Sequence, residues 1–145
     1  MGSRRIAREF ALQALYEIEM KESEPKLVFS KFWKASEIAG QEIQEEEKAF
    51  TLDLVEGTFR NCREIDQLIE KFSHHWKMAR MAVVDRNILR LATYELLYRH
   101  DIPTSVVLNE AVDIAKKFGT EDSGSFINGI LDKIAHTVRK KDDHL

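Results

Sequence analysis

The sequence is poor in the residues that cross-link a chain or break its regular structure. Among 145 residues there are one cysteine, two prolines and six glycines. The single cysteine, Cys62, excludes a disulfide within the chain and is typical of a reducing compartment. The shortage of proline and glycine argues against an all-β protein, because such a protein needs many tight turns. The composition therefore favours helices.

Long apolar runs are also missing. No run is long enough to span a bilayer, and residues 1–10 lack the apolar stretch of a secretory signal. We therefore expect a cytoplasmic protein without a membrane segment.

Neither sign of charge dominates. The chain carries 22 basic and 25 acidic residues, for a net charge of −3. A protein that holds nucleic acid alone and without sequence preference is normally basic. If this chain binds nucleic acid, we expect a local patch or a partner to supply part of the affinity.

Apolar residues recur at spacings of three and four along nearly the whole chain, which predicts helices. Candidate helix starts include Pro25, Asp85 as an N-cap, and Thr104 or Ser105 as another. We predict an all-α fold of about seven helices in a single domain. Its two packed helical subdomains would span about residues 1–73 and 74–138, followed by a frayed tail at 139–145.

Residues that often carry catalysis do not form a recognisable site. His74 and His75 are adjacent and point to different faces of a helix, whereas zinc ligands on helices stand three or four residues apart. No nucleophile elbow or glycine-rich phosphate loop is present. Ser123 and Ser125 are interpreted as capping residues. We predict no enzymatic activity, no metal and no cofactor.

The first helix has a second face beside its core stripe. On it Arg5, Arg8, Leu12 and Tyr16 follow one another at spacings of three and four, and Arg4 adds charge at the free end. Guanidinium groups bind phosphate or stack on bases, and tyrosine anchors protein contacts. The alternative is that the apolar pair joins a second core layer while the arginines are solvated.

The segment "FGTEDSGSFINGILDKIA" (118–135) joins the last two predicted helices. Gly119 is expected in the left-handed conformation that ends a helix, and Thr120, Asp122 and Ser123 are candidate N-caps. The two acids of the joint would repel a phosphate, so an RNA ligand would present base edges or ribose hydroxyls there. Phe126 is either a core anchor or a stacking platform for a base.

Four segments together resemble the NusB family of transcription antitermination factors. The resemblance covers nearly the whole chain, is strongest from Val84 to Ala135, and rests on RRIAREFALQALYE, VDRNILRLATYELLY, IPTSVVLNEAVDIAKKFG and EDSGSFINGILDKIA.

This resemblance implies an all-helical protein that binds boxA, a short single-stranded element of ribosomal-RNA leader transcripts. Binding would occur as a heterodimer with NusE, a small-subunit ribosomal protein. With NusA, NusG and RNA polymerase the assembly would suppress termination by Rho. Some members of the family pair with themselves, so a homodimer is a further expectation.

The resemblance also implies roles for particular residues. By position, Arg4, Arg5, Arg8, Asp122 and Phe126 match RNA-binding residues of the family. Two other residues, Tyr16 and Asp85, match positions that meet NusE. Ser125 stands where the family commonly has a basic residue, which puts one phosphate contact in doubt.

Two alternatives stay open. The first is a NusB-like domain of a ribosomal-RNA cytosine methyltransferase, for which we expect a longer chain with a cofactor domain. The second is a helical adaptor whose Arg5–Tyr16 face recognises only protein.

Overall fold

The computed structural model describes residues 2–22, 24–38, 40, 43–74 and 76–139. Within these ranges the chain forms seven α-helices and one short 3₁₀ turn and no strand, which confirms the all-α prediction. In chain order the elements are α1 (Gly2–Lys21), α2 (Pro25–Ile38), α3 (Glu45–Arg60), α4 (Cys62–Phe72), the 3₁₀ turn (Met78–Arg80), α5 (Val83–Tyr98), α6 (Thr104–Phe118) and α7 (Ser123–Val138).

Helix α5 lies at the centre of the fold. It packs against α1, α3, α4, α6 and α7, and nine of its 16 residues are buried. Each large apolar side chain removed from water contributes about 1.5–3 kcal/mol. Helix α5 therefore supplies a large part of the core. The division into subdomains at residue 73 stays a prediction.

Helix α1 runs antiparallel to α5. Near its start Arg8 contacts Glu95 at the end of α5, and near its end Glu19 contacts Arg86 at the start of α5. Of the core stripe predicted for α1, Ala7, Ala11, Ala14, Leu15 and Ile18 are buried, and Phe10 is half-buried. Helix α1 therefore lies along the whole length of the central helix.

Two predicted helix caps are wrong. Helix α5 begins at Val83, with Ala82 as the N-cap, so Asp85 lies inside its first turn. Helix α6 begins at Thr104 itself, and Pro103 is the residue before it. The fixed φ of proline suits that extended position. Asp85 and Thr104 are therefore residues of the first helical turn and not N-caps.

The predicted frayed tail begins one residue too early. Arg139 is only 2% exposed, and its guanidinium donates to the carbonyl oxygens of Glu95, Leu96, Arg99 and Ile102 at 2.6–2.9 Å. The last carbonyls of a helix have no partner within the helix. Arg139 therefore closes the end of α5, while residues 140–145 lie outside the described residues.

Arg139→Met should destabilise the fold by about 2–4 kcal/mol, because it removes the hydrogen bonds of a buried guanidinium to four backbone carbonyls. Urea unfolding measures this change. Arg63→Ala, on the exposed surface of α4, is the matched control and should change stability by less than about 0.5 kcal/mol. Equal midpoints for Arg139→Met and the native chain would contradict the capping role.

Candidate functional site

The three arginines predicted for the first helix do not form one exposed row. Arg8 is 4% exposed, and it donates to both carboxylate oxygens of Glu95, at 2.9 Å from Nε and 2.6 Å from Nη2. Leu12 on the same face is also buried. The physical reason is that Glu95 occupies the buried interior of α5 and needs a cation beside it.

Arg5 is partly exposed but engaged by acids. Its guanidinium donates to both carboxylate oxygens of Glu110, at 2.7 and 2.5 Å, and to Asp113 at 2.9 Å. The hydrogen bond with Arg5 lowers the pKa of the Glu110 carboxyl and raises the pKa of Arg5. A phosphate at this position would compete with two carboxylates of α6.

Arg4 lies at the edge of a cleft of about 340 Å³, whose lining also includes Phe50 and Arg99. The Cζ atom of Arg4 is 4.6 Å from the centre of the Phe50 ring, and those of Arg8 and Arg99 are 5.3 and 5.0 Å from it. Within the described residues no carboxylate pairs with Arg4. Of the three predicted arginines, Arg4 is the one whose charge is available to a ligand.

An apolar groove of about 330 Å³ lies between the second half of α1 and the start of α5. Tyr16, which is 45% exposed, lines it together with the 37% exposed Phe118. The other lining residues are Leu12, Gln13, Glu17, Phe32, Val83, Val84 and Asn87. The fold thus brings Tyr16 of α1 and the start of α5 to one groove.

Asp85 follows this part of α5 directly. It is half-buried, and its Oδ1 atom is shielded from water with no hydrogen-bond partner among the described residues. A buried carboxylate oxygen without a partner is costly. Asp85 therefore has one carboxylate oxygen that lacks a partner among the described residues but is not itself exposed to a docking molecule.

The joint between α6 and α7 is closed by Ser123. The Oγ of Ser123 accepts a hydrogen bond from the backbone N–H of Thr120 at 2.9 Å. The first residue of α7 therefore fixes the backbone of the joint that precedes it. Gly119 is extended, with φ −97° and ψ −160°, so the predicted left-handed conformation is wrong. Its lack of a side chain matters for space, because a Cβ atom would lie 2.5 Å from Ser123 Oγ and 2.8 Å from the carbonyl oxygen of Ala115.

The side chains predicted to face RNA at the joint lie on its outer surface. Asp122 is exposed and Phe126 is half-buried. The Phe126 ring packs against the core and also meets Trp76 in an edge-to-face contact, with 6.2 Å between ring centres. Phe126 is thus a core anchor whose ring stays partly accessible, and its role as a stacking platform stays a prediction.

Sequence reasoning missed Trp76, which is 53% exposed. The sequence did contain a signal for it. Trp76 stands between a histidine and a lysine in a segment without apolar periodicity, where burial does not explain a large aromatic residue.

Other titratable groups serve the fold. Burial raises the pKa of the Cys62 thiol, which makes it a poor nucleophile. Burial and the hydrogen bond to Asp53 raise the pKa of Tyr94 to about 12.

Across the described ranges no three His, Cys, Asp or Glu side chains are grouped so as to hold a metal ion. None of the helices in those ranges is long and apolar enough to cross a membrane.

The described residues thus form an all-helical protein with an apolar groove beside Tyr16 and an aromatic pair at the joint between α6 and α7. Comparisons with known proteins agree. A model of the NusB family matches residues 5–136. The transcription antitermination protein NusB of Desulfitobacterium hafniense is 50% identical over 141 residues, which cover 97% of this chain and 93% of that protein. The chain belongs to the NusB family.

Solved structures show the same relationship. T. maritima NusB superposes with a TM-score of 0.85 at 37% identity, covering 95% of this chain and 94% of that one. A chain from a complex of antitermination factors NusB and NusE with double-stranded RNA superposes with a TM-score of 0.81 at 30% identity, covering 94% and 98%. The relatives carry the name of a transcription factor and not of an enzyme, in agreement with the prediction of no catalysed reaction.

Gly119→Ala should destabilise the protein by about 1–3 kcal/mol, because the added methyl group overlaps Ser123 and the end of α6. Gly129→Ala is the matched control. That glycine is exposed inside α7, nothing lies within 4 Å of an added Cβ, and alanine should stabilise the helix by about 0.5–1 kcal/mol. Thermal unfolding compares the two variants, and a stabilising effect at both positions would contradict the close-packing argument.

Proposed function

We propose that this protein binds single-stranded boxA-type RNA together with NusE and acts in transcription antitermination in the cytoplasm. In the assembly that the family resemblance implies, it works with NusA, NusG and RNA polymerase and suppresses Rho-dependent termination. A homodimer is a further state of the free chain in this proposal.

The arrangement at one end of the bundle carries the proposal. Phe118 lines the groove with Tyr16, and the joint that bears Asp122 and Phe126 begins immediately after it. A protein seated in the groove would therefore border any RNA on the joint. Shared contacts of this kind suit a chain of net charge −3, because a basic partner supplies the charge that this chain lacks.

The groove is assigned to NusE. It is lined mainly by apolar side chains with Tyr16 among them, and exposed tyrosines are typical centres of protein interfaces. Asp85 lies in the first turn of α5 beside the lining residues Val83 and Val84, and its half-buried carboxylate is assigned to a basic group of NusE.

The RNA surface is assigned to Arg4, Arg5, Asp122 and Phe126, with Arg8 in a supporting role. Arg4 is exposed and Arg5 becomes available if phosphate displaces Glu110 or Asp113. Arg8 holds α1 on α5 through Glu95. Asp122 accepts from a base amino group, and Phe126 stacks on a base.

The observations weigh differently on the two alternatives, a methyltransferase domain and a protein-only adaptor. The relatives reported above are antitermination proteins matched over almost their whole length, which favours this proposal over a methyltransferase domain. The protein-only adaptor draws support from the ion pairs that occupy Arg5 and Arg8. Direct RNA binding separates it from our proposal.

Phe126→Leu should weaken binding of a boxA-type RNA by about tenfold in the presence of NusE, because loss of one base–aromatic stack costs about 1–3 kcal/mol. Leucine keeps an apolar side chain against the core.

Arg4→Ala should weaken binding and reduce its dependence on salt concentration, whereas Arg63→Ala on α4 should do neither. Fluorescence anisotropy of labelled RNA at several salt concentrations measures these effects.

The same titration decides between the classes of function. Tighter binding with NusE than without it, and weaker binding of a scrambled RNA or of a duplex, are expected. If NusE binds while no RNA binds with or without it, the adaptor interpretation replaces ours.

Tyr16→Ala should weaken NusE binding by about 2 kcal/mol or more, because it removes a large aromatic side chain from the groove. Tyr98→Ala is the control, since Tyr98 is 43% exposed and lies at the other end of α5. Isothermal titration calorimetry with NusE measures both. Equal losses for the two variants would remove the groove as the NusE site.

A further inference from the structure

The connector between α4 and α5 is a basic segment on an acidic protein. Residues 73–82 contain Lys77 and Arg80 and no aspartate or glutamate, whereas the whole chain has a net charge of −3. Both Lys77 and Arg80 are exposed. Such a local patch is the feature expected of an acidic protein that binds a polyanion.

Trp76 lies in the middle of this connector. Its side chain is 53% exposed, and its ring meets the Phe126 ring at an interplanar angle of 79°. An edge-to-face contact leaves ring surface for a further partner. Exposing an indole in water is unfavourable, so a ligand that covers it gains free energy.

The backbone of Trp76 is held in place. Its N–H donates to the carbonyl oxygen of Ser73 at 3.2 Å, and its own carbonyl oxygen accepts from Ser73 Oγ at 2.6 Å. Two residues further on, the N–H of Met78 donates to Glu70 at 2.9 Å. The exposed ring therefore projects from an anchored backbone, and binding costs little conformational entropy.

A basic side chain of α7 extends the same surface. Lys133 lies seven residues after Phe126, two turns along one face of the helix. Its Nζ atom is 3.0 Å from Nε2 of His74, which precedes Trp76 by two residues. The connector thus contacts α7 at two places, through Trp76 on Phe126 and through His74 on Lys133.

We infer that Trp76 and Phe126 form a two-ring stacking site for unpaired RNA bases, with Lys77, Arg80 and Lys133 as its phosphate contacts. Stacking on aromatic rings flanked by basic side chains is the general way in which proteins hold single-stranded nucleic acid. A protein partner on Trp76 is the competing occupant, but the charge of the connector favours the polyanion. The inference rests on the proposed function and adds a second stacking residue to its RNA surface.

Tryptophan fluorescence tests the inference directly, because the chain has two tryptophans. Trp33 packs in a stacked contact on Phe29, so a Trp33→Phe variant leaves Trp76 as the emitter of this chain. Adding boxA-type RNA in the presence of NusE should quench its emission. The same titration of the Trp33→Phe/Trp76→Phe variant measures the background from NusE.

Affinity supplies the second readout. Trp76→Ala should weaken RNA binding about tenfold and Trp76→Phe less, since phenylalanine keeps a stacking ring. Phe59→Ala is the matched control, because Phe59 is 51% exposed and lies on α3, and it should bind RNA like the native chain. All variants should bind NusE alone with native affinity, which also shows that they are folded.

The outcomes separate the two proposals. If RNA binds the native chain but Trp76→Ala binds it equally well and emission does not change, the two-ring site is wrong and the proposed function stands. If Trp76→Ala loses affinity for NusE instead, Trp76 is a protein contact and the inference is overturned. If no RNA binds the native chain with NusE, both proposals fail.

Discussion

Arg8 on α1 and Glu95 on α5 face each other inside the bundle, with only 5% and 3% of their side chains exposed. Removing either partner would leave a buried charge, at a cost of about 3–5 kcal/mol. The same guanidinium lies 3.4 Å from Glu110 of α6 and against the Phe50 ring of α3. A single side chain thus links four helices, and the position of α1 depends on it.

Both candidate surfaces follow from where α1 is held. Two turns beyond Arg8, Tyr16 meets the start of α5 and the end of α6 to form the apolar groove. On the other side of Arg8, Arg5 lies over the acids of α6. Ion pairs therefore occupy the Arg5 and Arg8 side chains in the first half of α1, whereas an apolar groove remains open beside Tyr16 in its second half. The second half has the properties of a protein interface.

Two sequence predictions failed because helical spacing does not show which side chain or backbone atom a residue will contact. Arg8 was placed on a solvated or binding face, since helical spacing does not show that Glu95 lies opposite it. A clue was present in "LATYELL", where a carboxylate in the most apolar helix needs a buried cation. Gly119 was expected to be left-handed, but its constraint is the space taken by Ser123 and Ala115. Helical spacing predicts on which face of a helix a residue lies, but it does not predict which residues pack against that face.

Local periodicity by itself determined the all-α class and most of the core stripe of α1, because a helix repeats its contacts every three or four residues. The order of the four family segments determined the family. Tertiary structure alone decided that Arg139 closes α5, that Tyr16 and Val83 share a groove, and that Trp76 meets Phe126. These contacts join residues 40 or more positions apart, and their geometry depends on how the helices cross, which no local pattern encodes.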